Sequence, residues 1–135
     1  MKTTPSQTIG PFFEVALGRQ EMIADGPVRI EGTVFDGAGD PVPDAYLELW
    51  DGVRFGRCPT DSDGRFSFRT VEPDGPYIAV SVFARGLLQR LVTRIYLDAG
   101  PAPDPSLVAS AGSGDGVRRF DIHLQGEHET VFFAV

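Results

Sequence analysis

Val28-Arg29-Ile30-Glu31-Gly32-Thr33-Val34-Phe35, followed at once by Asp36-Gly37-Ala38-Gly39-Asp40-Pro41, is the stretch whose reading decides the fold. Val28, Ile30 and Val34 fall on one side of an extended chain, and Arg29, Glu31 and Thr33 on the other. That period of two marks a half-buried strand. The Gly- and Pro-bearing run after it forces a turn. A strand ended so abruptly implies short strands joined by tight connections, and the same grammar recurs downstream.

Ala45 to Asp51 alternates again, with Leu47 and Leu49 opposed to Tyr46, Glu48 and Trp50, and Gly56-Arg57-Cys58 opens another extended piece. Asp61-Ser62-Asp63-Gly64 reads as a turn, because Gly adopts positive φ without a steric cost and Asp side chains bond nearby amides. Arg65 to Thr70 is then expected as the return strand of a hairpin, with Phe66 and Phe68 facing the core. Tyr77 to Ala84 alternates with both faces apolar enough to be buried, and Arg90 to Leu97 is rich in β-branched and aromatic residues. Residues 98 to 118 read as a linker anchored only at Leu107-Val108, and strands are expected at Arg119 to Gln125 and Glu129 to Val135. Residues 1–27 carry no sustained period and read as an arm, which leaves 28–135 as one domain.

The composition agrees. The 135 residues include 16 Gly and 11 Pro, too many for a helical bundle and too aperiodic for collagen. Short strands, no helical period and no repeat point to an all-β, single-domain β-sandwich of about seven to eight short strands. Twelve basic against nineteen acidic residues give a net charge of −7, which argues against nucleic-acid or anionic-membrane binding driven by bulk electrostatics. Any anionic ligand needs a local Arg. One Cys, Cys58, leaves no disulfide framework and fits a reducing cytoplasm. The polar start and the lack of any apolar run near ~20 residues predict neither a secretory leader nor a membrane span.

The chemical inventory is narrow. The two histidines, His123 and His128, lie in a polar cluster with Asp121, Glu127 and Glu129, which outward strand positions and an acidic turn explain better than a two-His-one-carboxylate metal site does. No Gly-rich phosphate loop, Ser elbow or His partner for Cys58 is visible, so an autonomous hydrolase or kinase is not expected. Arg85 follows a strand that reads as buried on both faces and precedes Gly86, at an edge where it either enters a pocket or is a solvated strand end.

Four segments carry a resemblance: Thr4-Pro5-Ser6-Gln7-Thr8-Ile9-Gly10-Pro11-Phe12-Phe13; Gly32 to Gly37 with Pro41 to Trp50; Val82-Phe83-Ala84-Arg85-Gly86-Leu87 with Thr93-Arg94-Ile95-Tyr96; and Arg119 to Glu127 with Glu129 to Phe133. Together they resemble the intradiol ring-cleavage dioxygenases, and among them the alpha subunits of protocatechuate 3,4-dioxygenases. The resemblance implies a β-sandwich paired with a homologous beta subunit. It also implies an oxidoreductase reaction in which non-haem Fe(III) activates protocatechuate, a small aromatic acid, for attack by O₂.

In that family two Tyr and two His of the beta subunit hold the iron, the histidines as His-x-His. Aligned on Phe-Ala-Arg-Gly, the His-x-His positions fall on Tyr77 and Ala79 here. Asp51 to Phe55 is too short for the insertion that carries one Tyr ligand, and Val71 to Pro76 contains no Tyr. The resemblance therefore implies an iron-free subunit, inactive alone, with no catalytic or metal-binding residue of its own. Its expected contribution is a wall of the substrate pocket through Thr8, Gly10, Pro11 and Arg85. A guanidinium suits a carboxylate as a planar donor fork, Gly10 lets backbone approach a ring, and Pro11 stiffens the turn. The competing reading is a stand-alone prealbumin-like binding module. Phe12, Phe13, Phe132 and Phe133 are the expected apolar surface for a partner.

Overall fold

The computed structural model describes residues 26–73 and 75–134. Nine strands are found among them: β1 (Val28–Phe35), β2 (Tyr46–Trp50), β3 (Phe55–Pro59), β4 (Arg65–Thr70), β5 (Ile78–Phe83), β6 (Leu91–Ile95), β7 (Ser110–Ala111), β8 (Val117–Arg119) and β9 (Ile122–His123). They form two sheets. One has the order β4-β1-β8-β7, with β9 also on β1, and the other is β3-β2-β5-β6. This is the expected all-β sandwich.

The alternation decides how the sheets face one another. Ile30 and Val34 of β1, Leu47 and Leu49 of β2, and Ile78, Val80 and Val82 of β5 are all fully buried, while most of the residues alternating with them, such as Glu31, Glu48 and Ser81, keep some exposure. Each such side chain contributes about 1.5–3 kcal/mol by leaving water. On β5 only one face is wholly buried; Ala79, Ser81 and Phe83 remain partly exposed, so the expectation of two buried faces is half met.

The turn at Asp61 forms as its sequence predicts. Gly64 has a φ of 75°, and Asp61 Oδ1 accepts from the amides of Asp63 (2.8 Å) and Arg65 (2.9 Å). The expected hairpin does not follow. β4 pairs antiparallel with β1 through Val28↔Thr70 to Thr33↔Arg65, so the turn carries the chain from one sheet to the other. In that sheet Phe66 and Phe68 point into the core at 3% and 1% exposure and face the apolar side of β2 and β5.

The stretch expected as a linker is built. A 3-10 turn at Pro105–Leu107 starts on Asp104, whose side chain accepts from the Ser106 amide, and Leu107 is fully buried. Tyr96 and Val108 form a parallel bridge, as the lone anchor at Leu107-Val108 suggested, and β7 follows.

The expected strand at Arg119 to Gln125 is two short pieces, both parallel to β1. β8 lies beside Arg29 to Glu31, and β9 beside Val34 and Phe35. Between them the chain bulges over Gly32 on the same edge of β1, where a Cβ would overlap the Phe120 carbonyl oxygen and lie 2.6 Å from the Phe66 ring. Asp121 Oδ1 takes the Thr33 amide at 2.9 Å in place of a strand carbonyl. Residues 129–134 form no strand. They make a strap instead: the Thr130 hydroxyl accepts from the His123 amide (2.7 Å), Thr93 donates to the Val131 carbonyl (2.8 Å), and the Phe133 amide donates to Val92 (2.8 Å). The strap ties β9 of one sheet to β6 of the other.

Candidate functional site

The four-stranded sheet carries the positions singled out in the sequence. β2, β5 and β6 are in register as Trp50↔Ala79 and Ala79↔Arg94, and Trp50 also faces Phe55 of β3. On the outward side this aligns Phe55, Trp50, Ala79 and Arg94 in one row across the sheet. Ala79, with only a methyl, leaves a dip. A hollow of about 340 Å³ opens there, bounded by Trp50, Asp51, Gly52, Pro76, Tyr77 and Ala79.

Tyr77 and Ala79, the positions the family resemblance aligned with a metal-binding pair, thus do line a cavity. The groups around them do not suit a ferric ion. Arg94 lies over the Tyr77 ring at 4.4 Å and over the Phe133 ring at 4.0 Å, and its Nη1 is 3.4 Å from the Tyr96 hydroxyl. A permanent guanidinium charge stacked on the candidate phenol repels a second cation, and cation–π contacts hold it there. Sequence reading missed this stack because Arg94 and Phe133 are distant in the chain; Arg94 in an otherwise apolar strand was the one available hint.

The two histidines sit elsewhere, by β9. His123 stacks on Phe35 at 4.9 Å between centroids, and His128 lies 6.2 Å from His123, beside a hollow of about 290 Å³ that Glu127 also lines. Among the described residues no three of His, Cys, Asp and Glu converge to hold an ion. A third hollow, of about 270 Å³, is lined by Glu31, Arg65 and Arg119 of the other sheet and by Pro59 and Asp61.

Arg85 stands at the opposite end of the four-stranded sheet from Trp50, just after β5, where Phe83 pairs with Tyr46. Its side chain is 85% exposed and its Nε meets Asp44 Oδ2 at 3.0 Å. The described residues do not enclose it. Thr8, Gly10 and Pro11 lie outside the described residues, as do Phe12 and Phe13. Phe132 and Phe133, expected as exposed surface, are instead packed against the core.

Between β2 and β3 the chain makes a tight tip around Asp51. Its carboxylate, with no exposed side-chain surface, accepts from the amides of Val53 (2.9 Å) and Arg54 (2.7 Å) and from Arg54 Nη1 (2.8 Å). Burial disfavours the charged carboxylate, but those donors and the guanidinium outweigh it and hold its pKa below the ordinary value. Along the same hairpin Glu48 pairs with Arg57 at 3.1 Å. Tyr46 has its phenol pKa raised, first by burial and then by Glu48.

No family model matches the chain. Two curated relatives do, over essentially its whole length. The protocatechuate 3,4-dioxygenase alpha chain of Burkholderia cepacia is 34% identical over 194 aligned residues, covering 100% of this chain and 98% of that one. The alpha chain of the same name from Pseudomonas putida is 31% identical over 191, covering 96% and 95%. Both alignments are longer than the 135 residues here, so they run across gaps in this chain. Among solved structures, the dioxygenase domain of a dioxygenase carbohydrate-binding protein fusion from Streptomyces sp. SirexAA-E superposes with a TM-score of 0.67 at 24% identity, covering 78% of this chain and 87% of that one, which shows the same fold. With identity above 30% to two alpha chains along nearly its entire length, the chain belongs to the protocatechuate 3,4-dioxygenase alpha-chain family of intradiol dioxygenases.

Proposed function

We propose that the chain is the iron-free subunit of a heteromeric protocatechuate 3,4-dioxygenase, working in the cytoplasm with a homologous beta subunit that supplies the ferric centre. The observation that carries the reading is the near full-length kinship with two alpha chains. The donor set supports the division of labour, because the Tyr77 position is paired with a guanidinium rather than with histidines. Iron held by the partner would supply activation of the dihydroxylated ring toward O₂, and this chain would contribute binding and orientation.

Arg85 is the residue with the right chemistry for a carboxylated ring. Its ion pair with Asp44 lies at the surface and holds it by at most about 1 kcal/mol, so the guanidinium is available to a ligand across an interface. Paired with the ring carboxylate it fixes the substrate as a planar fork, and Thr8, Gly10 and Pro11 add the approach of the N-terminal arm.

The test is co-expression with a beta subunit, then size exclusion, iron analysis and oxygen uptake with protocatechuate. A coloured, active complex is expected, with this chain alone iron-free and inactive. Arg85→Ala should lower kcat/KM on the order of 10- to 100-fold, the worth of a hydrogen bond to a charged group. Iron and turnover in the lone chain would overturn the assignment, and a chain that stays monomeric beside every beta subunit offered would leave the binding-module reading in its place.

A further inference from the structure

Among the described residues four large apolar side chains are exposed, and three of them fall within six consecutive positions: Trp50 at 47%, Val53 at 62% and Phe55 at 49%. Trp50 and Phe55 are direct partners in the β2–β3 register, so the two rings stand side by side at the end of the hairpin. Taking roughly 150–250 Å² for a whole aromatic side chain, the three leave about 300 Å² of apolar surface in water. That is at the lower end of the roughly 300–600 Å² spanned by the largest apolar patch on a single chain, a patch that is often functional.

The hairpin is prepared for burial in two ways. Asp51 fastens the tip through the amides of Val53 and Arg54, so little conformational entropy remains to be lost on docking. Both of its acidic groups also have a partner on the hairpin itself: Asp51 with Arg54, and Glu48 with Arg57. Covering the patch strands no unpaired carboxylate, which is the usual obstacle to desolvating a charged surface. Beside Trp50 the hollow over Ala79 is open to receive one bulky side chain.

We infer that the tip of the β2–β3 hairpin is the anchor by which this chain docks on its partner subunit, with Trp50 and Phe55 as the buried centre and the hollow over Ala79 taking an apolar side chain of the partner. The inference rests on the subunit reading above and adds the surface that serves it. A second copy of this chain is the less suitable occupant, since each would bring a net charge of −7 to the contact. The patch is smaller than the ~800 Å² per side of a standard interface, so the hairpin is its energetic centre and not its whole extent.

Trp50 is the only tryptophan in the chain, which makes the test specific. The chain is prepared with fluorine-labelled tryptophan and mixed with unlabelled beta subunit, and its single fluorine NMR line is followed together with binding affinity. The line should shift and lose its sensitivity to solvent on complex formation. Trp50→Ala and Phe55→Ala should each weaken binding by about 30-fold or more, as central aromatic anchors do. Arg65→Ala, on the outer face of the other sheet, should not. Circular dichroism checks that the variants fold, and if one does not, the line of the labelled wild type decides.

A complex that forms and turns over while Trp50 stays solvated, with Trp50→Ala binding within about threefold of wild type, overturns the docking inference and leaves the subunit reading intact. Failure of the wild type to bind any beta subunit overturns both. Self-association that protects Trp50 assigns the patch to a second copy and overturns the partner named here.

Discussion

Asp51→Asn removes charge from the carboxylate at the hairpin tip while keeping its shape. Oδ1 can still accept from the Val53 and Arg54 amides, but the group facing Arg54 Nη1 becomes a donor set against a donor. The loss is one charge-assisted hydrogen bond at a side chain with no exposed surface, about 2 kcal/mol, or a fall in Tm of roughly 8 °C for a domain of this size. The pH dependence gives a second reading. Donors hold the folded-state pKa of Asp51 below its ordinary 3.8, so the stabilisation is fully present above that value and fades as pH falls through the folded-state value. Urea melts followed by circular dichroism at pH 7 and in steps below pH 4 should show the wild type losing its advantage over Asp51→Asn on the acid side. A variant within about 0.5 kcal/mol of wild type at pH 7, or a gap that does not narrow in acid, refutes the account of the tip.

Two further outcomes check the fold. Gly32→Ala should cost about 3 kcal/mol or more, since its methyl overlaps the Phe120 carbonyl that passes over it, while Gly114→Ala, with open space around it, should stay within about 0.5 kcal/mol; equal melting of the two would contradict that close approach. Cys58 is 1% exposed and donates its thiol to the Ser67 carbonyl at 3.2 Å, so a thiol reagent should label it only after unfolding, and rapid native labelling would show that β3 opens.

Much of the sheet was legible in the residues because burial on one face imposes a period of two, and β1, β2 and β4 follow it. The same reasoning placed the turn at Asp61 but mistook its consequence. Local chemistry makes a turn, whereas the choice of partner for the strand after it depends on which sheet needs Phe66 and Phe68, and that is set by β1 and β5 from far along the chain. The strap at 129–134 has strand-like composition, yet its backbone bonds are divided between His123 and Val92, too scattered for a ladder.

The site divides in the same way. Sequence by itself determined the family, the sandwich and the family-aligned positions Tyr77 and Ala79, because these are properties of residue type and order. Tertiary structure alone decided that Arg94 stacks between Tyr77 and Phe133, that Phe133 is packed against the core, and that among the described residues Trp50 and Phe55 are the rings left most exposed. Contact between residues distant in sequence is a matter of register and sheet order. Neither can be read from the side chains of one strand.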